Sequence, residues 1–427
     1  MATFLTPVPY SLPRFACGIF VADVNHDGIP DLVVGCSEFD EAAGGAISVL
    51  YGNGNGTFQA AINSLLGTDA MTIVAGDYTG DGGIDVAFTE DLSTDVAISD
   101  GGGHFAQAAV YHAKQGPNQV FAGNFLAAGA VDPVSVGGGS LEIFPSAGHG
   151  KFGPPAITNV QYSFPAIAAE GDFPDIVAVG SHGTLGGTPN GLQVFFGQNG
   201  TNLQPGPAYE RLRFNVTPMT AGDLNNDGII DLVTVCDVPT SSYVVAVGTG
   251  SGHFQIGSPI SPGVSPSAAA IGDFNSNGKP DLVLAGSGLW ILLGNGDGTF
   301  QTPVAIPLPL AGLVAVAASD LNGDGKLDVM ARGNEPSEAC VILGNGDGTF
   351  QPAACYATGS FPGALAVADY NGDGELDIAT ASYNGDAVSI LLNNGDGTFQ
   401  PAVSFAVANF QPGSPPRIST ATASRGS

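Results

Sequence analysis

Clustered carboxylates are the residues in this chain with the spacing to do chemistry. The stretch DLNGDGKLD, residues 320–328, places Asp320, Asn322 and Asp324 two residues apart, follows them with a glycine and ends on Asp328. Side-chain oxygens two apart in a tight loop turn toward one point, and the glycine at position 6 permits the sharp bend. A donor set of hard oxygens suits Ca²⁺. Zn²⁺ would call for His or Cys, and Mg²⁺ for fewer protein ligands and more water. Five further stretches share the pattern: DVNHDGIPD from Asp23, DYTGDGGID from Asp77, DLNNDGIID from Asp223, DFNSNGKPD from Asp273 and DYNGDGELD from Asp369.

With side chains at positions 1, 3, 5 and 9 and the backbone carbonyl at position 7, the expected ligands follow loop by loop. They are Asp23, Asn25, Asp27, Ile29 and Asp31; Asp77, Thr79, Asp81, Gly83 and Asp85; Asp223, Asn225, Asp227, Ile229 and Asp231. The remaining loops supply Asp273, Asn275, Asn277, Lys279 and Asp281; Asp320, Asn322, Asp324, Lys326 and Asp328; Asp369, Asn371, Asp373, Glu375 and Asp377. These loops hold 17 of the chain's 30 aspartates. Turn formation alone does not require such crowding, because like charges in an empty loop repel. An EF-hand is excluded: its twelfth position is acidic and its flanks helical, whereas Val34, Thr234, Ala331 and Thr380 stand there within β-type runs.

What positions these loops is a repeat. Counting two worn copies, NFLAAGAVD from Asn124 and the shortened DFPD from Asp172, eight units recur with a period of about 50 residues. Around Asp320 the unit reads GLVAVAAS, the acidic loop, LDVMAR, ACVILG, the turn NGDGT and then FQPAACYAT. Four short apolar runs separated by Asn-Gly and Asp-Gly turns predict four antiparallel strands, A to D. An all-β protein follows, a β-propeller of eight four-stranded blades, with seven blades as the alternative. One domain is expected over residues 1–407. The Pro/Ser/Thr-rich tail 408–427 reads as a linker or cloning remnant, and either the segment from Phe4 or that from Phe399 is expected to help close the ring.

Composition sets limits on partners. The chain of 427 residues is 44% hydrophobic, enough for a large core, and its net charge of −29 argues against nucleic acid and anionic membrane surfaces. No apolar run reaches the ~18 residues of a membrane span, and residues 1–10 lack the features of a signal peptide. Six Ca²⁺ would bring 12 positive charges, moving −29 to −17. At a dissociation constant of ~0.1 mM in ~1 mM Ca²⁺, each site adds roughly 1.4 kcal/mol, and six add about 8 kcal/mol. Calcium levels of that order point outside the cytosol: extracellular, cell-surface or periplasmic. The five cysteines contain no CxxC; they read as small buried hydrophobes, with Cys17 and Cys36 near enough in the strand pattern to allow one bridge.

With repeat and hairpin in view, the chain resembles the FG-GAP/VCBS-repeat β-propellers, a family that includes the integrin α head and fungal lectins of integrin-like fold. The resemblance implies calcium between strands A and B on one face, and ligands met on the other face by the B–C and D–A connections. The chain departs from it in having eight units where integrin-like members have seven, and two units without ligands. Eight-bladed calcium propellers occur among polysaccharide lyases, which keeps an enzyme as the alternative to a binding module for glycan or protein. A purely structural propeller is a third reading. No GxSxG, HExxH or phosphate loop is present, and no catalytic residue is assigned. Tyr209, Arg211 and Arg213 are the candidate ligand contacts, since an aromatic beside two of the ten basic residues suits a carboxylated sugar or acidic side chain. Glu38, Asp40, Glu41, Glu90, Asp91 and Asp95 are expected to form an acidic patch over the first two blades. The phenylalanines of the GTF turns are expected to pack between blades. A monomer is expected.

Overall fold

The apolar runs form strands because each is three to nine residues, rich in Val, Ile, Leu, Ala and Phe and bounded by turn-forming residues. The structure is a computed structural model. It describes residues 16–37, 45–66, 69–90, 93–112, 117–123, 131–137, 140–146, 152–159, 163–169, 176–181, 192–196, 204–209, 216–236, 242–250, 253–261, 266–335, 338–358, 362–382 and 387–406. Among them are thirty-two strands in eight four-stranded antiparallel sheets, each built from four consecutive strands. The blades span 16–65, 72–112, 117–159, 163–209, 216–256, 266–306, 311–357 and 362–406 and are numbered 1 to 8. The β-propeller expected from the repeat is therefore the observed fold.

Position in the blade explains composition. The A strands touch one another around the ring, as Ala16–Ala22 does with both Thr72–Gly76 and Pro362–Ala368. Alanine and glycine dominate them because backbones converge there. The B strands are buried on both faces: in Asp31–Cys36 every residue is buried. Leu32, Val34 and Cys36 pack against Ala379, Ala381, Val388 and Ile390 of blade 8, while Val33 packs against Val86 and Phe88 of blade 2. Strand alternation thus serves two interfaces at once, which is why these runs are continuously apolar. The D strands form the outer rim, the shortest being three residues long as in Val304–Ile306, with Val304 59% exposed.

Blade 8 is completed by Val403–Ala406 pairing with Ala387–Leu391, so the segment beginning at Phe399 supplies the last blade's own fourth strand. The segment around Phe4 lies outside the described residues. Blades 8 and 1 meet through the cluster of Leu32, Leu50, Phe58 and Tyr370, an edge contact of the Phe58 and Tyr370 rings, and a hydrogen bond from Gly56 N–H to the Tyr370 carbonyl.

The cysteine reading needs correcting. Cys340 and Cys355 stand opposite each other on strands C and D of blade 7 and form a disulfide. Cys17 and Cys36 do lie on neighbouring strands, but Cys17 Sγ is 3.3 Å from Ser37 Oγ and Cys36 Sγ 3.9 Å from Ser48 Oγ, and no bridge joins them. Asp95 is also corrected: it is fully buried and accepts a 2.7 Å hydrogen bond from Ser93 Oγ, because it sits in mid-strand. It cannot belong to a surface acidic patch. Glu38, Asp40, Glu41 and Asp91 lie outside the described residues. No helix among the described residues is long and apolar enough to cross a membrane.

Candidate metal centre

Each of the six intact A–B loops leaves strand A, makes a tight acidic turn and enters strand B at its ninth residue. Two positions in every intact loop adopt positive φ. One is the position-6 glycine, from 78° at Gly278 to 92° at Gly374; the other is position 4, occupied by His26, Gly80, Asn226, Ser276, Gly323 and Gly372 at 56° to 76°. The left-handed turn at position 4 was not read from the spacing. Its signal is the run of glycine, asparagine and small polar residues there, types that tolerate this conformation.

These turns bring positions 1, 3 and 5 together. In blade 1, Asp27 N–H donates to Asp23 Oδ1 (2.9 Å) and Asn25 Oδ1 (3.0 Å), Gly28 N–H donates to Asp23 Oδ2 (2.9 Å), and Asn25 Nδ2 donates to Asp27 Oδ2 (2.9 Å). Blade 5 repeats the set with Asp223, Asn225 and Asp227, and blade 7 repeats the backbone bonds with Asp320, Asn322 and Asp324. Asp77 with Thr79 and Asp81, and Asp369 with Asn371 and Asp373, follow the same plan. In blade 6 Asn277 replaces the position-5 aspartate, and its N–H still reaches Asp273. The residues at position 7, Ile29, Gly83, Ile229, Lys279, Lys326 and Glu375, each donate their N–H to the position-5 side chain. Lys326 Nζ also lies 3.2 Å from Asp324 Oδ2.

Position 9 behaves differently. Asp31 is fully buried; its Oδ2 accepts Val24 N–H (2.9 Å) and its Oδ1 accepts Gly52 N–H (2.8 Å), where the C–D hairpin begins. Asp231, Asp281, Asp328 and Asp377 make the equivalent pair of bonds, and Asp85 holds Tyr78, Thr79 and Ser99. Three carboxylates of one loop do not gather within 4.8 Å of one another among the described residues. The ninth is drawn toward its hairpin, although each of its oxygens keeps a second lone pair. Burial pushes the carboxyls of Asp31, Asp85, Asp231, Asp281 and Asp328 above the ordinary range; the backbone donors oppose this and nearby loop aspartates reinforce it. Asp377 is pushed up to about 6, chiefly by burial.

Position 2 joins neighbouring blades. Phe274 packs on Phe350 (ring centroids 5.9 Å apart), Tyr78 on Phe152 (6.0 Å) and Tyr370 on Phe58 (5.7 Å), each pairing with the next blade's hairpin phenylalanine. The GTF phenylalanines thus pack between blades, as their repetition predicts.

The donor chemistry of the loops fits a hard cation. In blade 6 the Asn275 Oδ1 is buried without a hydrogen-bond partner at a predicted ligand position, an oxygen whose desolvation a bound cation would offset. One other group gathers metal-ligating side chains, Glu338 with Cys340 and Cys355, but its sulfurs are joined to each other and offer no thiolate. Of the candidate ligand contacts, Tyr209 ends the outer strand of blade 4, paired with Leu192, whereas Arg211 and Arg213 lie outside the described residues.

Fold and loops together define a β-propeller carrying repeated acidic A–B turns on one face. The FG-GAP-like repeat model matches residues 23–88, 223–284, 273–331, 320–380 and 369–422, and the chain belongs to that family. Comparison with curated proteins finds no match. Among solved structures, the chain is similar to an Agrocybe aegerita lectin that recognises non-reducing terminal N-acetylglucosamine. The two are 18% identical with a TM-score of 0.50, covering 91% of this chain and 94% of that one. It is also similar to BBS1N, solved in complex with ARL6DN, at 8% identity and a TM-score of 0.51, covering 76% of this chain and 93% of that one. At these identities the likeness is one of fold.

Proposed function

We propose that this protein is a calcium-stabilised binding module for a glycan or protein ligand, working outside the cytosol. The observation that carries the calcium reading is the gathering of positions 1, 3 and 5 by the loop hydrogen bonds of blades 1, 2, 5, 7 and 8, with the Asn275 oxygen of blade 6 left buried and unsatisfied. Asp23, Asn25 and Asp27 hold the ion in blade 1, and their counterparts do so elsewhere. The ninth-position aspartates align the loop against its hairpin and lend a remaining lone pair. Calcium supplies positive charge that relieves repulsion among these carboxylates. The Cys340–Cys355 disulfide supports an oxidising compartment.

The cation loops tie blades together, which leaves ligand binding to the opposite face. Leu65 (61% exposed) and Met71 (41% exposed) stand before and after the D–A connection between blades 1 and 2 on that side, two large apolar side chains left in solvent. The Agrocybe lectin makes glycans the first ligand class to try; its particular sugar does not carry over at 18% identity. Melting with and without a chelator tests the metal, with up to about 8 kcal/mol at stake for six sites. An unchanged midpoint would remove the calcium reading. A glycan array probed in calcium tests the ligand class, and a blank array would replace glycan by protein.

A further inference from the structure

In blades 2, 6, 7 and 8 the second residue of the A–B loop faces two blades at once. Its N–H is held by its own blade's ninth-position aspartate, and its carbonyl is claimed by the hairpin of the next blade. Backbone N–H groups do this at two seams: Gly56 to Tyr370 (2.9 Å) and Gly348 to Phe274 (3.1 Å). Side chains do it at two others, Ser146 Oγ to Tyr78 (3.3 Å) and Asn393 Nδ2 to Leu321 (2.6 Å). We infer that the cation loops of blades 7 and 8 bind their ions cooperatively, with Asn393 as the positioning residue that couples them. This inference rests on the reading that the loops bind calcium.

The path is short and buried. Asp328 accepts Leu321 N–H at 2.9 Å, the Leu321 carbonyl accepts Asn393 Nδ2 at 2.6 Å, and Asn393 N–H donates to Asp377 Oδ1 at 2.7 Å. Three hydrogen bonds and two residues thus separate the ninth-position carboxylates of neighbouring loops. Leu321 and Asn393 are 1% and 2% exposed, so water does not compete for these bonds. Leu321 lies between Asp320 and Asn322, two expected ligands, so holding its peptide orients both. Asn393 commits both Nδ2 protons, the second going to the Leu376 carbonyl (3.1 Å), and its Oδ1 accepts Gly395 N–H (3.0 Å). An ion ordering the loop from Asp369 to Asp377 therefore fixes Asn393, and through it the backbone of the loop at Asp320. The second ion then has less disorder to remove, which is positive coupling.

The equivalent position is glycine in blades 1, 5, 6 and 7, where an added Cβ would run into the carbonyl of the residue before the ninth-position aspartate. In blade 8 the asparagine hydrogen-bonds to that carbonyl. Asn393→Gly therefore restores a residue its sibling blades use, and it keeps the backbone bond to Asp377.

The test is calcium titration of the decalcified full chain by calorimetry, with total bound ions counted. With Asn393 present, Asp373→Ala removes one ion and weakens a second by about fivefold, within the usual range of coupling. In the Asn393→Gly background the same change removes one ion and leaves the rest at their former affinity. Asn393→Ser, imitating Ser146, restores part of the effect and guards against a glycine variant that fails to fold. Melting temperature does not distinguish these outcomes from simple destabilisation; the dependence of one site's affinity on its neighbour does. If Asp373→Ala leaves all remaining sites unchanged when Asn393 is present, the coupling is overturned. If the unmutated chain takes up no calcium, the calcium reading itself fails, and that shows before any variant is made.

Discussion

Blades 3 and 7 are built on one plan, yet only blade 7 keeps the acidic loop. Blade 3 has lost its predicted ligands in NFLAAGAVD, and its residues 124–130 lie outside the described residues. Still, its last residue, Asp132, is 1% exposed and its Oδ1 accepts Ser146 N–H at 2.8 Å. Asp328 of blade 7 makes the same bond to Gly344, also at 2.8 Å. The ninth-position aspartate is therefore kept where the acidic cluster of positions 1 to 5 is lost. Positions 1 to 5 gather charge, while position 9 fastens the strand A–B turn to the C–D hairpin, and the two tasks separate when the first is lost.

The largest test of this division removes the fastening. Asp328→Ala and Asp132→Ala each strand a buried backbone donor, with an expected loss of about 2–4 kcal/mol by denaturant unfolding. Equal losses in calcium and in chelator are expected for Asp132. An Asp132 variant as stable as the parent would end the comparison. Breaking the Cys340–Cys355 bridge, which only blade 7 among the described residues possesses, should cost about 3 kcal/mol for a loop of this length. Comparing the unfolding of Cys340→Ala/Cys355→Ala with that of the parent measures it, and a loss below 1 kcal/mol would show that the hairpin holds itself. Asp324→Ala should remove roughly 1.4 kcal/mol in ~1 mM calcium and almost nothing in chelator. A loss of the same size in both conditions would make Asp324 structural, like Asp328.

A separate test concerns pH dependence. Because the folded carboxyl of Asp377 is raised from 3.8 to about 6, the folded protein binds this proton more tightly than the unfolded chain. Its contribution is fully present below about 3.8 and is lost as pH rises through about 6. The chelated protein should therefore lose stability over that window, and Asp377→Asn should flatten the trend. A parent profile already flat from pH 4 to 7 would contradict the assignment.

The repeat made much of this legible. Blade boundaries, strand order and the packing role of the GTF phenylalanines followed from period and turn chemistry, which are local properties. Relations between distant segments were harder to read. That Asp31 holds Gly52, twenty-one residues on, requires the blade to be assembled first. The disulfide was readable in principle, since a hairpin of fixed length sets Cys340 opposite Cys355, but register had to be followed residue by residue. Asp95 misled because a carboxylate in a short polar stretch looks solvent-facing, whereas mid-strand placement and Ser93 internalise it.

The ring's closure has a mechanical consequence. All eight blades draw their four strands from one continuous stretch, and no described strand is lent across the seam between blades 8 and 1. That seam is held by Phe58 against Tyr370, by the Gly56–Tyr370 hydrogen bond and by apolar packing, the same fittings found where the chain runs on between blades. Among the described residues the ring thus closes as a butt joint, with no strand acting as a latch. Its resistance to being sprung open there rests on the Phe58–Tyr370 contact, the Gly56–Tyr370 backbone bond and the apolar packing between blades 8 and 1, with no covalent or strand-exchange reinforcement among the described residues.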